Sequence, residues 1–431
     1  MLYRFCAYGF LKNQRYFEPF FMLALLAHDL SYFTIGLLVA FRSLTINLLE
    51  IPSGAIADGF GRRHAMIFSL ASYILSFILF AWATKLWMLF AAMFLYGVGD
   101  AFRTGTHKAM IFEWLRQEDR LHERTRIYGI TRGWSQFGSA LSAILAAGFV
   151  LLTRDYRTVF VAATVPYLLN VVNLSGYPRD LDGLTQQDTK SSLRSVAGDL
   201  MRTLGQAWRK ASMRRLMAES MAWEGTFNAI KDYLQLALLL LFTNQLIAVA
   251  TDSQNRRQIA EASDLALPME SVDPGVVIAI AVTYTVLFLL SGFASRQAHR
   301  VQAWCGSEQM ASSCLWIVNL SLYILLGIAD LSSNQVLVVL ALVILNILQN
   351  IWRPILITRF DNCSSAGQGA TILSIESQSQ RLATFFIAPI VGLAVDSSFR
   401  LDSAGHLWPI AMIGVTVCTA IMVTFRRNET D

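Results

Sequence analysis

Gly54-Ala-Ile-Ala-Asp58-Gly59-Phe-Gly61-Arg62-Arg63 decides how this chain is read. A long apolar run that begins near Thr34 leads into it, and a second run, Ala65 to Ala83, starts right after it. The gap is too short for a folded loop, so the stretch is a tight turn joining two candidate membrane helices. Its glycines supply the backbone freedom that a sharp reversal needs. Arg62 and Arg63 hold the turn on the cytoplasmic side of a membrane. Asp58, at the membrane edge, is expected to seek helix N-terminal amides or a basic partner.

Composition agrees with a membrane chain. Of 431 residues, 55% are hydrophobic and 15% charged, where a soluble chain of this length carries far more charge. The mean hydropathy is +0.46. Apolar runs near the length needed to cross a bilayer recur along the sequence. Met1–Phe10 lacks a basic segment followed by a small-residue cleavage site, so no cleavable leader is expected. Cys6, Cys305, Cys314, Cys363 and Cys418 are scattered and odd in number, which suggests neither a disulfide framework nor a metal site. The net charge of +5 points to basic cytoplasmic loops rather than to nucleic acid.

Hydropathy predicts twelve helices: Tyr3–Ala27, Thr34–Ala57, His64–Ala83, Leu86–Phe112, Ile127–Leu152, Val159–Gly176, Arg214–Phe242, Val276–Ser295, Met310–Ile328, Gln335–Phe360, Gly367–Val395 and His406–Phe425. The basic, Ser/Gln-rich stretch Tyr177–Ser212 divides them into an N-terminal bundle (1–176) and a C-terminal bundle (213–431). Weak repetition supports two halves, since Asp100-Ala-Phe-Arg103 is echoed by Asn350-Ile-Trp-Arg353, and the opening turn by a degraded copy at Gly292–Arg296. With both termini cytoplasmic, the inner segments collect most of the Lys and Arg, while the outer ones hold Lys85, Arg154, Arg157, Arg256, Arg257 and Arg400. The acidic stretch between Asp252 and Pro274 reads as a solvated outer loop.

The opening turn resembles the signature loop between the second and third helices of the major facilitator superfamily: a glycine, an acid four residues on, then Gly-Arg-Arg. Gly54, Asp58, Gly61, Arg62 and Arg63 fill it, while Gly59 stands where that family usually has a basic residue. The resemblance implies an all-α polytopic membrane protein with twelve transmembrane helices in two pseudo-symmetric six-helix bundles. It also implies alternating access, a monomer, and a central cavity lined by the first, fourth, seventh and tenth helices.

Charges at bilayer depth are unfavourable and usually face a cavity. The first helix carries Lys12, Asn13, Arg15 and Glu18 beside Pro19, with the three charges on roughly a third of its circumference. On the fourth, Asp100, Arg103 and His107 share a stripe. Asp100 pairs with Arg103 either as a releasable contact, with His107 titrating near neutrality, or as a permanent bridge with His107 hydrogen-bonded in the wall. Arg42 and Glu50 lie on the second helix, and Glu50 reads as structural. Arg132 and Gln136 on the fifth share a face that closes the cavity on its cytoplasmic side. The seventh helix presents Glu224, Asn228, Lys231 and Asp232, the tenth Asn350 and Arg353, and the eleventh Glu376 and Gln380.

The expected function is secondary active transport of a small polar or anionic solute, coupled to an ion gradient, with protons the expected ion. No P-loop is present. Among the acids Glu18, Asp100, Glu224, Asp232 and Glu376, those with basic neighbours, Asp100 and Glu18, rank first as proton carriers. A multidrug or metabolite antiporter and an uncoupled facilitator are the alternatives, then a non-transporting sensor or scaffold. The fifth helix lacks the Gly-Pro pair of drug/proton antiporters. An enzyme is not expected, because neither His-Glu-x-x-His nor a nucleophile motif occurs. No organic cofactor or metal is expected. The partners are a solute and the lipid bilayer of the cell membrane, not nucleic acid.

Overall fold

The computed structural model describes residues 1–182, 210–252, 273–363, 369–401 and 405–427. The helices are α1 (Leu2–Lys12), α2 (Phe21–Leu26), α3 (Tyr32–Phe60), α4 (Arg62–Trp82), α5 (Leu86–Arg103), α6 (Thr106–Gln117), α7 (Arg124–Thr153) and α8 (Arg157–Ser175) in the first half. The second half holds α9 (Ala211–Ile230), α10 (Tyr233–Asp252), α11 (Pro274–Cys305), α12 (Glu308–Leu331), α13 (Gln335–Cys363), α14 (Gly369–Arg400) and α15 (Trp408–Arg427). Among the described residues there is no strand, and nine helical stretches are long and apolar enough to cross a membrane. Broken passages at α1–α2 and α9–α10, with the shorter apolar α15, complete a chain course consistent with twelve spans. A bilayer admits this all-helical solution because each helix satisfies its own backbone polar groups.

Three of the predicted spans are interrupted, the first at its proline-bearing stretch and the other two within helices expected to be continuous. The first stops at Lys12, and its path resumes through a single 3-10 turn at Glu18–Phe20, where Pro19 withholds a backbone donor. The fourth breaks between Arg103 and Thr106, where Gly105 takes φ +80°, a conformation glycine adopts without a Cβ clash. The seventh breaks at Lys231–Asp232, between α9 and α10. Hydropathy averages over such breaks and could not locate the last two.

Within the first half, α4 packs on α5 and α8, and α1 on α7 and α8. Within the second, α9 packs on α14, and α12 on α13 and α15. The halves meet along two seams, α3 with α14 and α7 with α11. On the first seam backbones touch. A Cβ built on Gly36 would collide with the Ala388 carbonyl oxygen and stand 2.9 Å from Pro389 Cα. One on Gly392 would collide with the Tyr32 carbonyl oxygen and stand 2.8 Å from Phe33 Cα. Small residues permit this approach between helices in a membrane.

The signature turn is sharp, as expected, with Gly61 at φ +99° between α3 and α4. The Asp58 side chain, for which a basic or amide partner was expected, lies outside the described residues. An acid outside the motif holds the turn. Asp182, 3% exposed, accepts the Arg63 backbone N–H at 2.7 Å, and the Arg63 guanidinium donates to the Tyr177 carbonyl at 3.2 Å. Tyr177, Leu181 and Asp182 are all buried, so the opening of the expected linker is packed against the first half; residues 183–209 lie outside the description. The carboxylate of Asp182 sits at the N-terminus of α4, where the helix dipole favours it. Asp182→Ala is expected to lower stability by about 1–2 kcal/mol, the range of a lost helix cap. Thermal unfolding of the purified variant checks this, and an unchanged midpoint would exclude the capping role. Most of the acidic stretch between α10 and α11 is outside the described residues, but Asp273 caps α11 by accepting from the Gly275 N–H at 2.6 Å.

Candidate functional site

A cavity of about 290 Å³ lies between the halves, beside all three helix breaks. Each break brings polar side chains to this space. Arg15 and Glu18 come from the α1–α2 break, Asp100, Arg103 and Thr104 from the α5–α6 break, and Asn228, Lys231 and Asp232 from the α9–α10 break. Arg42, Ser43 and Ile46 of α3 and Arg381 and Thr384 of α14 complete this part of the lining. Phe17, Phe21, Phe80 and Met93 form an apolar wall.

Most charges here have a counter-charge. Arg103 Nη2 is 3.0 Å from Asp100 Oδ1, which also accepts from the Tyr73 hydroxyl at 2.5 Å, and Arg103 Nε donates to that hydroxyl at 3.1 Å. Lys231 and Asp232 pair at 3.0 Å, and Arg381 reaches Glu50 across the seam at 2.5 Å. Arg15 and Glu18 are looser, at 3.8 Å. Arg42 differs. It lies over the Tyr96 ring, 5.6 Å from the centroid, has no carboxylate partner among the described residues, and its buried Nε has no hydrogen-bond acceptor. The wall of the first half thus offers more guanidinium than carboxylate to the cavity.

The side of the cavity away from the signature turn is sealed by polar ties between halves. Gln235 of α10 accepts the Met22 N–H at 2.8 Å and donates to the Glu18 carbonyl at 2.9 Å. Asp396 of α14 accepts the N–H groups of Tyr32 and Phe33, each at 2.9 Å, at the start of α3. Further along, Asn47 donates to the Gln378 carbonyl at 3.1 Å. Among the described residues, no hydrogen bond crosses this seam beyond the Glu50–Arg381 pair, although α3 runs on to Phe60.

Of the residues predicted for the site, Arg15, Glu18, Asp100, Arg103, Asn228, Lys231 and Asp232 line the cavity. The others stand elsewhere. Asn13 donates back to the Gly9 carbonyl at 2.6 Å, and Asn350 to that of Asn346 at 2.9 Å. Lys12 ends α1, and its carbonyl accepts the Tyr167 hydroxyl at 3.0 Å. His107 stacks on Tyr8 at 3.8 Å and lies 3.4 Å from the Tyr177 hydroxyl, an aromatic wall position. Arg132 is exposed and off the lining. Gln380 is half-buried off the lining, and Glu224, Arg353 and Glu376 form a separate cluster inside the second half. Sequence reasoning gave no site role to Arg42, Tyr73, Gln235 or Asp396. An intramembrane arginine was a usable signal for the first. A tyrosine reads as packing, and a lone amide or end-of-helix acid carries no sign of its cross-half partner.

The sequence profile described as Major Facilitator Superfamily matches residues 5–388. Multidrug resistance protein MdtH of Yersinia enterocolitica is 29% identical over 135 residues, covering 31% of this chain and 32% of that protein. MdtH of Yersinia pestis (strain Pestoides F) is 30% identical over 125 residues, covering 29% and 30%. The chain thus aligns with about a third of the length of these curated relatives. Among solved structures, the nucleoside transporter NupG superposes with a TM-score of 0.72 at 11% identity, covering 98% of each chain. The inward-open xylose transporter XylE from E. coli superposes with a TM-score of 0.65 at 12% identity over 98% of this chain and 95% of that one. At these identities the likeness is one of fold. With the profile spanning nearly the whole chain, the protein belongs to the Major Facilitator Superfamily.

Proposed function

We propose that this protein carries a small polar anion across the cell membrane by alternating access, as a monomer with both termini cytoplasmic, and that protons drive it. The observation that carries the reading is Arg42, a guanidinium on the cavity wall with no carboxylate partner among the described residues, on the same lining as Arg15 and Arg103. Arg42 is half-buried with its Nε shielded from solvent and unpartnered, and an anionic solute supplies the missing acceptor and charge. Ties between the halves concentrated on one side suit a two-sided rocking motion about the cavity. The basic segments on the signature-turn side support its placement in the cytoplasm.

A second reading, efflux of apolar or cationic drugs, is favoured by the MdtH likeness and by the Phe17, Phe21, Phe80 and Met93 wall. One experiment separates the two. Purified protein in liposomes, under an imposed pH gradient, is offered pooled organic anions and, separately, cationic dyes. Arg42→Gln is expected to raise KM for an anion by ~10-fold or more, the worth of one charge-assisted contact. Transport of cationic dyes by the wild type, unchanged or improved in Arg42→Gln, would reject the anion reading.

A further inference from the structure

The acid-rich cluster of the second half stands apart from the cavity lining. Arg353 of α13 holds Glu376 of α14 through two hydrogen bonds, Nη1–Oε1 at 2.6 Å and Nη2–Oε2 at 2.9 Å. Glu376 is fully buried and also accepts from the Ser220 hydroxyl. The same Arg353 Nη1 is 3.3 Å from Oε1 of Glu224 on α9, yet that oxygen makes no hydrogen bond. One guanidinium therefore faces two buried carboxylates. The adjoining pair, Glu50 of α3 with Arg381 of α14, is balanced by itself. Three acids meet two guanidiniums.

The other neighbours do not correct the deficit. Glu219, earlier on α9, is held by Arg359 at 2.5 Å and approached by Arg215 at 3.4 Å, Lys231 at the end of α9 pairs with Asp232, and among the described residues Arg353 is the cation within ion-pair distance of Glu224. On the Trp223 side, α12 and α15 bring Trp316 and Cys418. Beside Glu224 lies Gln349, whose side chain hydrogen-bonds the Glu224 carboxylate while its own buried Oε1 lacks a donor. Two acceptors without a donor, in a spot short of positive charge, are what a single added proton satisfies.

Resting on the transport reading above, we propose that Glu224 binds and releases the coupling proton. The proton comes from water, forms the O–H bond on the Glu224 carboxylate, and returns to water from the same oxygen once the halves have moved. Protonation leaves Arg353 matched one to one with Glu376. Asn228, one turn on along α9, lines the cavity, and the Thr384 hydroxyl of the lining donates to the Gly225 carbonyl at 3.4 Å. Solute and proton thus meet the same stretch of α9 from two sides. Arg42 on α3 and Glu224 on α9 put the anion and the proton on opposite walls. This assignment replaces Asp100 and Glu18 as first choices, since Asp100 is satisfied by Arg103 and Tyr73 and Glu18 faces Arg15.

Infrared spectroscopy of the full-length protein in lipid nanodiscs, titrated with pH, tests this without any solute. The wild type is expected to show the carbonyl band of a buried protonated carboxylic acid, lost in Glu224→Gln and kept in Asp100→Asn and Glu18→Gln. Glu376→Gln gives a second arm. It leaves Arg353 to Glu224 alone, so the band is expected to disappear there too. A band that survives Glu224→Gln, one that is lost in Asp100→Asn, or its absence from the wild type at every pH would overturn the assignment. Failure to transport any solute would reject the transport reading and leave this band unchanged.

Discussion

Gly36→Leu is expected to force the two halves apart on the side away from the signature turn. Even a single Cβ there would collide with the Ala388 carbonyl oxygen and stand 2.9 Å from Pro389 Cα. Both are backbone atoms, so no side-chain rotation relieves the clash and α3 has to leave α14. Overpacking of this kind costs about 1–3 kcal/mol. That strain falls only on the conformation in which the seam is closed, so it shifts the balance toward the alternative arrangement by ~10-fold or more. Ser43→Cys, a cavity position, reports the change in a background with the five native cysteines replaced. A membrane-impermeant thiol reagent applied from the far side should label it faster in Gly36→Leu. Gly225→Leu is the control, because its Cβ would meet the Ala383 Cβ at 2.5 Å within one half. It is expected to lower stability without exposing the reporter thiol, whereas equal labelling in both variants would show that the seam is not the seal.

Arg359→Met is expected to be the most destabilising single change in the second half. Glu219 is fully buried, and Arg359 grips both its oxygens, at 2.5 and 3.0 Å, while the Ser312 hydroxyl adds a third contact at 3.2 Å. Arg215 approaches to 3.4 Å from one turn earlier on α9. Removing the bidentate partner leaves a buried carboxylate with weaker compensation, a loss of about 3–5 kcal/mol. Replacing both partners, as Glu219→Leu with Arg359→Met, removes the stranded charge and should recover most of that loss. The measurement is thermal unfolding of the purified variants in detergent. A double variant no more stable than the single one would show that packing of the Arg359 stem, rather than charge, governs the site.

How much was legible varied with the kind of feature. The turn at Gly61 needed only a few adjacent residues to be seen, and its positive φ agrees with that reading. The break at Pro19 was also visible, since proline acts on its own backbone. The break at Gly105 was not, because a single glycine inside an apolar helix is common in membranes and only its neighbours decide whether it bends. For the site, helical period put Asp100 and Arg103 on one stripe, and they do pair. The same period put Asn350 on a polar face, and Asn13 stood beside the charges of the first helix, yet both bond back to their own helices. Period gives a side chain's direction to within a fraction of a turn. Whether it reaches a cavity or its own backbone depends on the depth of the neighbouring helix.

The sequence by itself determined that this chain is a polytopic helical membrane protein, where its signature turn falls, and that its charged residues gather on a few helices. Those properties are local: each helix must satisfy its own backbone in a bilayer, and each run must match the bilayer's thickness, whatever the other helices do. Only the tertiary structure decided which charges cancel. Glu219 and Arg359 are 140 residues apart, Asp182 and Arg63 are 119 apart, and Glu50 and Arg381 are 331 apart. Ion pairing falls off over a few ångströms, so it depends on helix rotation and crossing, which no local pattern encodes. The functional reading rests on what remains after those pairs are made: an arginine at position 42 without a carboxylate, and a glutamate at position 224 that shares its cation.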